Sequence, residues 1–409
     1  MILEHRKEAY FLGLSRMLER ASYYGTRSLL LVLMIDKLML DEIRAFYLYG
    51  LFATLIYLAQ SIGGIIGDKL IGNKNAILIG GLIQSAGMFI LAMLTESTLY
   101  VGCILIISGG ALYSPNIIAQ FGKLYLTNKK MIGAGFNLFY LSVSLGAFLG
   151  IWIIGSFNSP FAFKLGFLIA GALCFTSVIF AFFVHQPSTT VDKTPLKSTS
   201  KKVAIVLFSC IAGIIFWSMY QLGSYGSISA LIKLKELESN SLTISDIINF
   251  NQFATMFFCI AAFFLWSYFC FSELMKLLIG FITGAIGFGI IIFIPEIFTQ
   301  NYIPILLLSS ILISAAEVLV VPAILSLYAL NINEKYLATF YSLTVLFTWI
   351  GISIVNWIIS IVSFLDDTTF ALITSAVILI LFGLTIILFS YLISLSNTRT
   401  KQKVVDALD

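Results

Sequence analysis

Long apolar segments separated by short polar breaks follow one another along the whole chain. Each runs for about twenty residues or more without strand-like alternation, which predicts α-helices and excludes the ten-residue alternating pattern of a membrane β-barrel. We place twelve such segments, at 10–34, 44–67, 75–95, 99–122, 132–156, 163–184, 202–230, 246–268, 272–294, 302–329, 336–363 and 369–396. The pattern therefore predicts an all-α polytopic membrane protein with twelve transmembrane helices.

The composition agrees with this prediction and narrows the function. Of the 409 residues, 59% are hydrophobic and 11% are charged, whereas a soluble domain has about 25% charged residues.

The start of the chain, MILEHRKEAY, lacks the pattern of a cleaved secretory signal, so we expect the first helix to be retained. The sequence offers no metal-ligand cluster, nucleophile–base pair or phosphate loop. We therefore expect no enzyme activity, no cofactor and no nucleic-acid partner.

One polar stretch, residues 185–202, divides the twelve segments into six and six. It predicts an N-terminal six-helix bundle over 1–184, a linker over 185–202 and a C-terminal six-helix bundle over 203–409. Lysine and arginine recur in alternate connections, and by the positive-inside rule this places both termini and the linker in the cytoplasm. We expect a monomer in the lipid bilayer of a bacterial inner membrane.

This plan resembles that of the major facilitator superfamily of transporters, in which the substrate site lies near the midplane between two halves. The connection between the second and third segments supports the resemblance. In GGIIGDKLIGNKN, the residues Gly64, Asp68, Lys69, Gly72 and Lys74 fit the superfamily's G-x-x-x-D-R/K-x-x-G-x-K/R loop. We expect a tight cytoplasmic gating loop in which Asp68 caps or pairs with a neighbouring helix end.

The first segment carries charges at membrane depth. Helical spacing places six of its residues on one stripe: Arg16, Glu19, Arg20, Tyr23, Tyr24 and Arg27. A charge at a helix centre costs about 2.5–3.5 kcal/mol. A surface helix is disfavoured by the apolar run SLLLVLM, and snorkelling from one end cannot serve charges spread over about 16 Å. The stripe is therefore predicted to face water, a partner charge or a ligand.

The stretch ERASYYGTR resembles the first-helix signature of the proton-coupled oligopeptide transporters, E-x-x-E-R-F-x-Y-Y-G followed by an arginine. Further stretches resemble that family's fourth, fifth, seventh, eighth and tenth helices, in order: GALYSPNIIAQFGKLY, GAGFNLFYLSVSLGAFLG, FWSMYQLGSYGS, FNQF and SAAEVLVVPAILSL. The resemblance implies transport of di- or tripeptides by alternating access, with the proton as coupling ion.

The resemblance also implies roles for individual residues. Arg20 and Arg27, with Tyr23 and Tyr24, would hold the carboxylate end of a peptide, and Glu317 would receive its ammonium group. A zwitterion in a low-dielectric cavity needs opposite charges at a fixed separation, and arginine can bind a carboxylate bidentately. Asn251 matches a ligand of the peptide backbone. Four aromatic residues are either cavity walls or core packing: Tyr57, Trp217, Tyr220 and Tyr341.

The sequence departs from the family pattern at four positions. Arg16 replaces the first glutamate of the signature, Ser114 replaces the lysine of the fourth helix, Ser144 replaces an asparagine of the fifth, and Gln221 replaces the glutamate of the seventh. We expect Arg16 to pair with Glu19 and to reach toward Ser114. Ser114, Ser144 and Gln221 stay among the predicted substrate-binding positions.

These departures leave a coupling network of Arg16, Glu19, Arg20 and Glu317. Gln221 cannot titrate, and the flanking arginines should keep Glu19 ionised. Proton coupling is therefore either carried by Glu317 or weakened, and a facilitator or exchanger is an alternative to a symporter. Three stripe arginines against one glutamate also suit an acidic ligand. Transport of another small carboxylate-bearing metabolite stays open, and a non-transporting sensor on the same scaffold is less favoured.

Overall fold

The computed structural model describes residues 5–159, 162–184, 200–237, 244–269, 271–293, 303–362 and 368–405. Twelve long α-helices lie within these ranges: α1 Lys7–Val32, α2 Glu42–Ile66, α3 Asn73–Leu91, α4 Glu96–Leu124, α5 Ile132–Leu149, α6 Phe163–Phe182, α7 Ser200–Leu237, α8 Ile244–Tyr268, α9 Glu273–Ile291, α10 Ile303–Asn331, α11 Leu337–Val362 and α12 Thr368–Val405. Each corresponds to one of the predicted segments, so the all-α polytopic fold is confirmed.

Most of these helices are suited to crossing a membrane. Within the described residues, ten are long and apolar enough to do so, and Phe253–Tyr268 of α8 is a shorter apolar helix. The remaining helix, α1, carries the charged stripe predicted from the sequence. The start of α2 is fixed by a side chain. The Asp41 carboxylate accepts hydrogen bonds from the Ile43 and Arg44 amides (3.1 and 3.3 Å), which is the usual N-cap arrangement.

The predicted loop between the second and third segments is instead mostly helical. Residues Gly67–Ile71 form a π-helical turn that continues α2, and Gly72, with φ of +82°, separates it from α3. A single glycine suffices because it can adopt a positive φ without a Cβ clash. The expectation of a loop over Gly64, Asp68 and Lys69 was therefore wrong, since all three are helical and Gly72 alone makes the turn.

The chain forms two compact units. Unit 1 comprises Met1–Thr194, Cys259–Tyr268 and Tyr328–Trp349, and unit 2 comprises Pro195–Phe258, Phe269–Leu327 and Ile350–Asp409. Unit 1 thus contains α1–α6 together with the C-terminal parts of α8 and α10 and the N-terminal part of α11. The division into bundles 1–184 and 203–409 stays a prediction, and most of the linker 185–202 lies outside the described residues.

Within unit 1, α1 and α5 pack backbone against backbone. A Cβ atom at Gly146 of α5 would overlap the Met17 carbonyl oxygen, and one at Gly150, the first residue of the π-helical turn Gly150–Ile154 that continues α5, would overlap the Ala21 carbonyl oxygen. Small residues allow this approach between membrane helices. The same helix α1 packs against α6, where Leu29 and Phe167 belong to one buried apolar cluster. These contacts fix the orientation of the charged stripe on α1.

Within unit 2, aromatic residues join α7, α9 and α12. The rings of Phe208 and Phe389 stack with their centroids 4.0 Å apart, and those of Phe281 and Phe382 lie 5.0 Å apart. Such pairs stabilise a membrane bundle by dispersion, because lipid supplies no hydrophobic driving force between helices. They hold α7, which carries the predicted residues Trp217 and Gln221.

Candidate functional site

Glu19, in the middle of α1, is the centre of a buried hydrogen-bonded network. Its Oε2 accepts hydrogen bonds from Arg16 Nη1 (3.0 Å) and Arg20 Nε (2.7 Å). Its Oε1 accepts from Arg20 Nη2 (2.6 Å) and from Gln84 Nε2 of α3 (3.1 Å). The Glu19 side chain is fully buried. Four N–H donors, three of them on charged guanidinium groups, stabilise the ionised carboxylate at this position.

Ser114 of α4 completes the network. Its Oγ accepts a hydrogen bond from Arg16 Nη1 (2.9 Å) and a second from Arg20 Nη2 (3.2 Å). The expected pairing of Arg16 with Glu19 and its reach toward Ser114 are therefore confirmed as geometry. The convergence of both guanidinium groups on one neutral oxygen was not predicted. Arg16, Arg20 and Glu19 together leave one positive charge in excess within this buried network.

Gln84 is a network residue that the sequence interpretation missed. It is completely buried on α3 and contacts the only carboxylate of the network. A glutamine in the middle of an apolar segment was the available signal, because a buried amide needs a polar partner. The sequence alone does not identify that partner, because a polar group on any of several helices of the bundle could have filled this role.

Aromatic rings cover the guanidinium groups. The Arg20 guanidinium carbon lies 4.8 Å from the ring centroid of Tyr23 and 5.8 Å from that of Tyr24. The Arg16 guanidinium carbon lies 5.7 Å from the ring centroid of Phe139 on α5. These distances fit cation–π interactions, which partly replace the water that a guanidinium loses on burial. Tyr23 is buried and Tyr24 is half-buried.

Arg27 lies two turns beyond Arg20 and has a different environment. Its Nε donates a hydrogen bond to the Tyr49 hydroxyl of α2 (2.9 Å), and its guanidinium carbon is 5.6 Å from that ring's centroid. Among the described residues, no carboxylate forms a salt bridge with Arg27. The side chain is only partly buried. Arg27 therefore offers a guanidinium that could bind a carboxylate.

Three further predicted positions in unit 1 have varied surroundings. Ser144 is buried on α5, and Tyr57 on α2 is 37% exposed. Tyr341 is buried, with its ring centroid 6.4 Å from that of Phe136 and 5.9 Å from that of Tyr328. Of the two interpretations left open for Tyr341, core packing matches these contacts, and the wall of an open cavity does not.

The predicted residues of unit 2 form two groups. In the first, Trp217 and Tyr220 of α7 have ring centroids 5.3 Å apart, and Asn251 Nδ2 of α8 donates to the Tyr220 hydroxyl (3.2 Å). In the second, Gln221 Nε2 donates to Asn356 Oδ1 of α11 (3.1 Å). Asn356 was not predicted.

Unit 2 also carries the remaining predicted charge. Glu317 is partly buried in the middle of α10. One turn N-terminal to it, the Ser314 hydroxyl donates hydrogen bonds to the Asn251 backbone carbonyl (3.1 Å) and to the Asn251 side-chain oxygen. Glu317 is thus on the same helix as a residue that contacts α8.

Asp68, in the π-helical turn after α2, caps the start of α11 within unit 1. Its Oδ2 accepts hydrogen bonds from the Thr339 amide (2.7 Å) and the Thr339 hydroxyl (2.9 Å), and its Oδ1 accepts from Asn73 Nδ2 (3.0 Å). A carboxylate at a helix N-terminus is favoured by the unpaired amides and by the helix dipole. The expected contact of Asp68 with a neighbouring helix end is confirmed. Lys69 is exposed.

Comparison with known proteins places these features in context. The profile described as Major Facilitator Superfamily matches residues 12–356. Dipeptide and tripeptide permease B of Aliivibrio fischeri (strain MJ11) is 29% identical over 201 residues, which cover 47% of this chain and 40% of that protein. The di-/tripeptide transporter of Lactococcus lactis subsp. lactis (strain IL1403) is 28% identical over 224 residues, covering 50% and 44%. The chain thus spans less than half the length of these curated relatives.

Solved structures show the same fold over a longer range. A POT family transporter in complex with a thioalcohol-conjugated peptide has a TM-score of 0.69 at 20% identity, covering 94% of this chain and 96% of that chain. A POT family transporter in complex with 5-aminolevulinic acid has a TM-score of 0.68 at 20% identity, with the same coverage. At this identity the likeness shows a shared fold.

Proposed function

Because this chain belongs to the major facilitator superfamily, we propose that it is a secondary active transporter of di- or tripeptides, or of peptide-like small molecules, working by alternating access. The relatives named as di- and tripeptide permeases and the peptide-bound structure of the same fold support this substrate class. Both termini lie in the cytoplasm in this proposal, and the protein acts as a monomer in a bacterial inner membrane.

The observation that carries the proposal is the state of Arg27. It lies on a helix of a membrane-transport fold, and none of the described carboxylates neutralises it. A charge at membrane depth costs about 2.5–3.5 kcal/mol when nothing compensates it. A mobile ligand with a carboxylate would supply the compensation, and the guanidinium can bind that group through two parallel hydrogen bonds. The Tyr49 hydroxyl orients the guanidinium for this contact.

Proton coupling in this proposal does not pass through Glu19. Protonating that carboxylate would break ion pairs with Arg16 and Arg20 and replace an acceptor of four hydrogen bonds by a poorer one. Gln221 cannot take up a proton. Glu317 is therefore the proposed coupling group if the transporter is a proton symporter, and otherwise the protein is a facilitator or exchanger.

Counterflow in proteoliposomes tests the proposal without assuming a coupling ion. Vesicles loaded with unlabelled dialanine should accumulate labelled dialanine, and protein-free vesicles should not. Absence of counterflow with every di- and tripeptide tried would contradict the peptide proposal. A second arm compares uptake driven by a pH gradient, acid outside, with uptake under a peptide gradient alone. Stimulation by the pH gradient that Glu317→Gln abolishes supports Glu317 as the coupling group.

A second candidate, transport of another small carboxylate-bearing metabolite, is favoured by the same Arg27 contact, because a guanidinium binds any accessible carboxylate. If amino acids or organic acids exchange in the counterflow assay and no peptide does, this second candidate is favoured over peptide transport. Binding of a peptide that stabilises the protein against heat, with no exchange of any solute, would instead select the non-transporting sensor.

A further inference from the structure

We infer that the preferred substrate carries one more negative charge than a zwitterion, in the form of an additional carboxylate. The inference deepens the proposed function and rests on it. It concerns which peptides or peptide-like molecules are selected, and it follows from the charges inside the membrane-spanning part of the protein.

The intramembrane charges do not balance. Four charged side chains of α1 lie more than four residues inside the ends of the helix: Arg16, Glu19, Arg20 and Arg27. Three positive charges thus stand against one negative charge, an excess of two positive charges. A zwitterionic peptide adds a carboxylate and an ammonium group, so it leaves this excess unchanged.

The contacts show where the excess lies. Glu19 is shared between Arg16 and Arg20, and the only other acceptor that either guanidinium contacts in the described part of the chain is the neutral Ser114 hydroxyl. Arg16 Nε is buried without a hydrogen-bond partner there. Arg27 adds a further positive charge whose polar partner is also neutral, the Tyr49 hydroxyl. The α1 stripe alone therefore has two positive charges more than it has negative ones.

One carboxylate from a ligand would reduce this stripe excess to one, and a second would remove it. An ordinary peptide has one carboxylate, at its C-terminus. A peptide with a glutamate or aspartate side chain has two carboxylates, which match the two excess positive charges of the α1 stripe. Uncompensated charge in a low-dielectric site is costly, so this match should appear as selectivity.

The test is competition for dialanine counterflow by the nearly isosteric pair Ala-Glu and Ala-Gln, which differ by one negative charge. A charged hydrogen-bonded contact corresponds to roughly a ten- to hundred-fold difference in affinity. We expect Ala-Glu to compete at a concentration lower by about that factor, and Ala-Lys to compete more weakly than Ala-Gln. Equal potency of Ala-Glu and Ala-Gln would overturn the inference.

Two substitutions test whether the charges of the α1 stripe produce the selectivity for Ala-Glu over Ala-Gln. Arg27→Gln should reduce the potency of Ala-Glu more than that of Ala-Gln, bringing their ratio close to one. Arg44→Gln is the matched control, since it also removes a positive charge, from an exposed ion pair with Glu96 at the start of α2, and it should leave the ratio unchanged. An unchanged ratio in Arg27→Gln would contradict the assignment of the excess charge to the α1 stripe.

Two further arms separate other outcomes. If neutral peptides exchange only when chloride is present, a separately bound anion supplies the missing negative charge, and the assignment of that charge to the substrate is overturned. If no peptide exchanges at all, the proposed function fails, and the charge inference is tested on the purified protein. Glutarate, with two carboxylates, should then raise the melting temperature more than glutaramate, with one. Equal stabilisation by both would overturn the inference.

Discussion

Replacement of Glu19 by glutamine tests whether the buried network holds unit 1 together. The change keeps the size of the side chain but removes the negative charge shared by Arg16 and Arg20. Removing one partner of a buried ion pair costs about 3–5 kcal/mol, because it leaves the other charge buried and unpaired. Here two guanidinium groups lose their shared carboxylate and keep two neutral acceptors among the described residues, the side-chain carbonyl of the glutamine and the oxygen of Ser114.

This cost should be visible as a lower melting temperature. For a unit of about 150–250 residues, each kcal/mol shifts the melting temperature by about 2–4 °C, so we expect Glu19→Gln to melt on the order of 10 °C below the parent protein. The assay is thermal unfolding of the detergent-purified protein followed by intrinsic tryptophan fluorescence. Glu96→Gln, in the exposed pair with Arg44, is the matched control and should change the melting temperature little.

A double variant separates charge from packing. Adding Arg16→Gln to Glu19→Gln removes one of the two orphaned cations, so the double variant should regain part of the lost stability. Arg16→Gln alone should be milder than Arg20→Gln, because Glu19 would still be bound by Arg20 through two hydrogen bonds and by Gln84. A melting temperature for Glu19→Gln within about 2 °C of the parent would refute the reasoning.

Three further predictions follow from other contacts. The exchange Arg16→Glu with Ser114→Lys replaces one of the network's two cations on α1 by a carboxylate and places a cation on α4. The variant should fold, giving a single symmetric peak in size-exclusion chromatography, and aggregation would count against it. Asp68→Asn removes the charge at the start of α11 and should lower the melting temperature by an amount corresponding to about 0.3–1 kcal/mol, and no change would contradict the capping role. Burial lowers the pKa of His5, whose Nδ1 is 2.8 Å from the Tyr125 hydroxyl. The unfolded state therefore takes up the proton first as the pH falls below about 6.5, and the melting temperature of the parent should fall more steeply there than that of His5→Asn.

The sequence predicted most of the fold because membrane helices are defined by length and hydropathy. Twelve apolar segments became twelve helices. Most ends differ by four residues or fewer, and the C-terminal ends of α5, α7 and α12 differ by seven to nine. The tight connection after α2 was predicted, but its helical part was missed, because a π-helical turn followed by a single positive-φ glycine has the same sequence signature as a short loop. The glycine and lysine of that motif specify a sharp turn, and they do not specify how many residues leave the helix.

The site was predictable where the spacing along one helix decides a contact, and less so elsewhere. Arg16 and Glu19 are three residues apart on α1, so their pairing follows from helix geometry. The contacts of Gln84 and Tyr49 depend on which faces of α3 and α2 turn toward α1, and a single sequence does not contain that information. Tyr341 was ambiguous for the same reason, because an aromatic residue in an apolar helix suits a cavity wall and a packed core equally well.

The close approach of α5 to α1 has a consequence for the entropy of ligand binding. With Gly146 and Gly150 against the carbonyl groups of α1, the helix has no room to rotate about its axis, and the Glu19 network fixes the guanidinium rotamers. Ordering a rotamer-rich side chain on binding costs about 0.5–1.5 kcal/mol. For Arg16 and Arg20 that ordering is complete before a ligand arrives, so the stripe on α1 is preorganised and binding there restricts chiefly the ligand itself.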